Sequence, residues 1–150
     1  MSDYPELLHT VIDTTDPRTL AEFYRHLLGY VYRPGDEPPE TVEVDGESGS
    51  RAADSVADDA DWLVLTDGNG VRKLAVQKVA ELTPTTWPDD KVPMQLHLDF
   101  TVSDAEELER QRRRAVVLGA TVLFDRTDDP VEPLYVFSDP SGHPFCIFVA

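Results

Sequence analysis

Two imidazoles and a carboxylate carry most of the chemical potential of this chain. His97 and Asp99 lie two residues apart in Met94–Ser103, where Met94, Leu96, Leu98 and Phe100 alternate with Gln95, His97, Asp99 and Thr101. Such alternation marks a strand with one apolar and one polar face. Histidine and aspartate on one face suit the wall of a cavity as well as they suit solvent. A histidine can ligate a metal or exchange a proton near neutral pH. His9, in Leu7–Asp13, occupies a second stretch of the same kind, 88 residues earlier. The same interval separates Asp16 from Asp104 and Leu20 from Leu108. A spacing kept over strand, turn and helix indicates an internal duplication. Two histidines at matching positions of a duplication argue for metal more strongly than either does alone.

The elements that must position these residues follow from local signals. After the strand Leu7–Asp13, Asp16 caps a helix with Pro17 at its first position. Leu20, Phe23, Tyr24, Leu27 and Leu28 form its apolar stripe, and Gly29 ends it. Tyr30–Arg33 starts a strand, interrupted by Pro34-Gly35 and resumed at Thr41–Val44. Asp36–Asp61 holds ten acidic residues against the single base Arg51, which predicts a solvated, mobile insertion over about 34–61. Trp62–Thr66 and Val71–Val79 flank Asp67-Gly68-Asn69-Gly70, a hairpin signal. Ala80–Pro93, with three prolines, reads as a connector.

The second half repeats the order. Ser103 and Glu106 form a capping box, and the helix runs to Leu118 with Gly119 as its cap. Glu106–Arg110 and Glu109–Arg113 are spaced as i,i+4 pairs on a wet face. Ala120–Phe124, Leu134–Ser138 and His143–Val149 are the closing strands. Each half is thus strand–helix–three strands. The predicted fold is α+β: two βαβββ modules, about 5–80 and 93–150 of a single 1–150 domain. Together they build an eight-stranded, mostly antiparallel curved sheet or pair of half-barrels around a cavity, with the helices outside.

Thirteen basic and 29 acidic residues give a formal charge of -16. That charge repels phosphate backbones and anionic membranes, so neither nucleic acid nor membrane is an expected partner. With one cysteine, Cys146, there is no intrachain disulfide. The start of the chain shows no secretory signal and no apolar run spans a bilayer, so the expected location is cytoplasmic.

Four passages resemble a known family: Leu7-Leu8-His9, Val76-Gln77, Trp87-Pro88 followed by Gln95–Asp99, and Asp139-Pro140-Ser141-Gly142-His143-Pro144-Phe145-Cys146. They look like the vicinal oxygen chelate superfamily of glyoxalase I, bleomycin-resistance proteins and extradiol dioxygenases, and most like its glyoxalase-like domain subgroup. The resemblance implies metal ligands at His9, Gln77 and His97 and a fourth position near Cys146, where metal-using members place Glu. Two imidazoles and an amide oxygen suit Zn, Ni, Co, Mn or Fe. No nucleotide cofactor is expected.

With that Glu missing, Asp99 is the substitute general base on the same face, and Cys146, Trp62 and Trp87 are the expected substrate-binding residues. The bland readings are an Asp99 that hydrogen-bonds His97 or a backbone group, a buried, inert Cys146 and packing tryptophans. His26 and His143 receive no role. The two-histidine, one-carboxylate set of extradiol dioxygenases is not evident. The resemblance therefore implies a small-molecule-binding protein, acting as a metal-dependent lyase or isomerase that chelates vicinal oxygens. The alternative is a metal-free protein that sequesters its ligand. A homodimer is expected in either case.

Overall fold

The computed structural model of the chain describes residues 2–40 and 57–150. Helix α1 (Pro17–Leu28) begins as its sequence dictates: the Asp16 carboxylate accepts from the Thr19 backbone N–H at 3.2 Å and from the Thr19 hydroxyl at 2.7 Å. Gly29 closes it at φ 69°, a left-handed conformation that a residue without Cβ adopts freely. Around this helix the first module arranges β1 (Thr10–Thr14), β2 (Val31–Tyr32), β3 (Trp62–Thr66) and β4 (Arg72–Lys78) in the order β1-β4-β3-β2. The second module has β5 (Leu98–Val102), α2 (Ala105–Leu118), β6 (Thr121–Arg126), β7 (Leu134–Ser138) and β8 (Pro144–Val149), ordered β5-β8-β7-β6.

The two topologies are the same, as a duplication requires. In each module the first strand pairs in parallel with the fourth, and the other pairings are antiparallel. The eight strands form two four-stranded half-barrels, with no closed barrel among the described residues.

Several local expectations need correction. The stretch Met94–Ser103 pairs only from Leu98 to Val102, and Leu7–Asp13 only from Thr10 onward. At β5 the partner strand explains the shortening: Leu98 faces Phe145, just after Pro144, which has no N–H to donate. Helix α2 is capped by Asp104, which accepts from the Glu107 N–H at 2.8 Å, not by Ser103. Its ion pairs are the i,i+3 pairs Glu107–Arg110 and Glu109–Arg112. Arg114 leaves that wet face and donates to the His26 carbonyl at 2.8 Å, at the C-terminal end of α1.

The expected strand Thr41–Val44 and most of the acidic insertion lie outside the described residues. The insertion's described ends are held to α1 by Arg18, which donates to the Asp36 carbonyl at 2.7 Å and pairs with Asp58.

One apolar cluster spans both modules. Ile12, Leu63 and Val76 lie against Leu20, Phe23 and Tyr24 of α1, and the cluster continues into Leu108, Phe137, Phe145 and Ile147. Phe23 and Tyr24 carry the junction, with ring centroids 5.8 and 6.1 Å from Phe145. Burying one such ring is worth about 1.5–3 kcal/mol. With these faces turned to the helices, the opposite faces of both sheets are left free to build a site.

Candidate metal and ligand site

On the free face of the second half-barrel, backbone pairing sets one row of side chains. Asp99 of β5 lies opposite Cys146 of β8, Cys146 opposite Val136 of β7, and Val136 opposite Phe124 of β6. His97 stands just before β5 on the same face. His97 Nε2 is 3.3 Å from Asp99 Oδ1, and one ligand atom each from His97, Asp99 and Cys146 lies within 4.8 Å of the others. Among the described residues this is the one group of three such side chains. Trp87 of the connector meets Phe124 edge-on at 5.6 Å and closes the far end of the row. Burial first, then the charge of Asp99, pushes the Cys146 thiol up to about 11, so the free side chain is a neutral thiol at neutral pH.

The first half-barrel presents a different surface. His9 lies at the matching place, but the residues paired next along the strands are Val11 and Ala75, where the second module has Asp99 and Cys146. Gln77 pairs with Asp13 and Trp62. Four residues along a strand put it about 13 Å from the level of His9. Gln77 therefore corresponds in register to Phe148, and Cys146 to Ala75. Trp62 tilts toward His9, with ring centroids 6.0 Å apart. The His9 Nδ1 is buried without a hydrogen-bond partner among the described residues. Burial, and then Arg72 and Arg33, lower its pKa and hold the ring neutral. A neutral imidazole keeps a free lone pair for a ligand.

Of the residues expected from sequence, the structure thus gathers His97, Asp99 and Cys146 and sets Trp87 at the edge of their row. His9 and Trp62 stand together on the other sheet, and Gln77 lines a cavity of about 470 Å3 beside β1.

Two residues without an expected role prove structural. Asp139, 4% exposed, accepts from the Tyr24 hydroxyl at 2.6 Å and from the Ser141 and His143 N–H groups at 2.8 and 3.1 Å. Burial raises its pKa, against the pull of those bonds. His143 Nε2 lies 2.6 Å from the Asp13 carbonyl. The signal for Asp139 was in the Asp-Pro-Ser-Gly turn, since aspartate at a turn's first position accepts from the following N–H groups. Nothing local pointed to Tyr24 as its partner, 115 residues away.

The glyoxalase-like domain model matches residues 9–148. The chain belongs to the glyoxalase-like domain family. No curated protein matches this glyoxalase-like chain in sequence. Solved structures share its fold, which is that of the vicinal oxygen chelate superfamily. A glyoxalase/bleomycin resistance protein/dioxygenase family enzyme from Burkholderia phytofirmans is 15% identical with a TM-score of 0.64, over 97% of this chain and 98% of that one. The fosfomycin resistance protein FosX from Mesorhizobium loti is 13% identical with a TM-score of 0.60, over 100% and 94%. FosX from Listeria monocytogenes, solved with Mn(II) and sulfate, is 14% identical with a TM-score of 0.59, over 98% and 93%. At such identities the likeness is one of fold. No described helix is long and apolar enough to cross a membrane.

Proposed function

We propose that this glyoxalase-like protein binds a small molecule between half-barrel faces, with a divalent metal anchored by His97, Asp99 and Cys146. The supporting observation is the meeting of nitrogen, oxygen and sulfur donors within 4.8 Å on one face. That donor set suits Zn or Co best among the expected metals Zn, Ni, Co, Mn and Fe, and the Mn(II) held by the Listeria FosX lends the metal reading weight. A metal there supplies Lewis-acid stabilisation of charge on two neighbouring substrate oxygens, which favours lyase or isomerase chemistry of glyoxalase type. His9, neutral and unpartnered at Nδ1, is the expected further ligand. Gln77, level with Asp13, is the less well placed. Trp62, Trp87 and Phe124 supply apolar walls for substrate.

A homodimer belongs to the same reading. His9 and His97 precede strands of separate sheets, and Leu7 and Leu8, just before the edge strand β1, are exposed at 88% and 58%. A second copy would cover this edge and bring a first-module face against a second-module face. Light scattering should then give twice the 16.8 kDa chain mass.

The experiment for the metal is Co(II) titration of chelator-treated protein. The expected result is uptake of about one ion per chain with a near-ultraviolet thiolate-to-cobalt band, both lost in His97→Ala and the band lost in Cys146→Ser. A protein that takes up no cobalt would instead be a metal-free ligand-sequestering protein. The apolar Val11 and Ala75, which stand in the first module where the second has Asp99 and Cys146, favour that second reading.

A further inference from the structure

The 470 Å3 cavity shares no residue with the His97–Asp99–Cys146 group. It opens beside β1, where the connector and the Asp139–His143 turn converge, and its volume lies within the usual range of small-molecule sites, about 300–1,000 Å3. Its walls are braced without a ligand. The connector is cross-tied by Thr85 Oγ1 donating to the Val92 carbonyl at 2.7 Å and by the Val92 N–H donating to Thr86 Oγ1 at 2.9 Å. Gly142, at φ 92°, approaches Pro84 so closely that a Cβ would lie 3.1 Å from the proline's own. Thr14 Oγ1 and Ser141 Oγ, 2.8 Å apart, tie the turn to β1.

The lining has a definite chemistry. Val11, Leu82, Val92 and Leu96 give it apolar walls. Asp13, Gln77 and Gln95 supply polar groups, and none of these three side chains hydrogen-bonds or ion-pairs with a described residue. Among the described residues Asp13 is the only carboxylate in the lining, no lysine or arginine joins it, and the one imidazole, His143, has its Nε2 taken up by the Asp13 carbonyl at 2.6 Å. A chain of formal charge -16 concentrates cations near such a carboxylate.

We propose that this cavity is a binding site for an organic cation, an amine or planar aromatic cation with an apolar body, whose charge is met by Asp13 and whose N–H groups are met by the Gln77 and Gln95 amide oxygens. The site stands independently of the metal reading.

Fluorescence titration of the full chain with ethidium, a planar aromatic monocation, tests it at about 0.3 M salt, which screens loose binding to surface acids. The expected result is saturable binding at about one dye per chain, weakened about tenfold or more in Asp13→Asn and abolished in Leu96→Trp, which fills the cavity from an exposed position. His97→Ala should bind the dye as the parent does, so that failure of the metal site and failure of this one are told apart. Circular dichroism confirms that each variant is folded. The proposal is overturned if binding does not saturate near one dye per chain, or if Asp13→Asn and Leu96→Trp bind as tightly as the parent. Equally tight uptake of the anionic dye anilinonaphthalene sulfonate also overturns it.

Discussion

Cys146 is the residue whose chemistry depends most on what binds beside it. Its thiol, pushed up to about 11 by burial and then by Asp99, is a weak nucleophile at neutral pH. Iodoacetamide should therefore label the metal-free protein slowly at pH 8, with the rate rising until about pH 11. Fast labelling at pH 8 would contradict the burial argument. Linkage runs the same way: the raised pKa contributes stability below the ordinary value of 9.0, and that contribution is lost as pH climbs through about 11. Asp99 offers the only carboxylate oxygen of the cluster. Asp99→Asn should weaken Co(II) binding by about tenfold or more while leaving the thiolate band in place at saturation. Unchanged affinity would assign the carboxylate to substrate, as a proton acceptor.

At the scale of elements, α2 shows how a cap is chosen between adjacent residues. Ser103 and Asp104 can both accept from the first-turn N–H groups, and the extended backbone of Asp104 directs its carboxylate to Glu107 N. Asp104→Ala should cost about 1 kcal/mol in urea unfolding, whereas Ser103→Ala should cost a few tenths at most. The shortened β5 has a consequence for function. Met94, Gln95 and Leu96, freed from pairing, form part of the cavity wall, while His97 next to them reaches the opposite cluster.

For the whole molecule, the shared core couples the modules. Phe145, fully buried, stacks on Phe137 at 4.9 Å and touches Phe23 and Tyr24 of the other module. Phe145→Ala should cost about 3–5 kcal/mol and lower a single melting transition rather than split it in two. The acid side of the stability curve has a predictable shape. As pH falls from 7 toward the pI of about 4.4, self-repulsion eases and the melting temperature should rise. Below that, paired carboxylates are protonated. Glu107, held at about 2 by Arg110 and then Gln111, Glu22, where burial pushes up but the bonds from Arg25 and Tyr32 win, and Glu109, lowered by Tyr135, contribute stability above their ordinary value of 4.5 that is lost as pH falls toward 2. The melting temperature should therefore peak near pH 4.5–5 and fall steadily to pH 2. A scan that rises monotonically to pH 2 would be inconsistent with these pairs.

The sequence by itself determined the two modules, both helices, the hairpin turns and the placing of His97 and Asp99 on one face. Those features rest on periodicity, caps and turn residues, which act over a few positions of chain. Only the tertiary structure decided which residues keep company across the sheets. It set Cys146 beside Asp99, put Gln77 level with Asp13 and apart from His9, joined Tyr24 to Asp139 and drew Arg114 to the end of α1. These meetings depend on the register of strands and helices separated by tens of residues, and a register is chosen by the packing of whole faces. A slip of one residue turns a side chain to the other face, and a slip of two moves it along the strand by the width of a metal site.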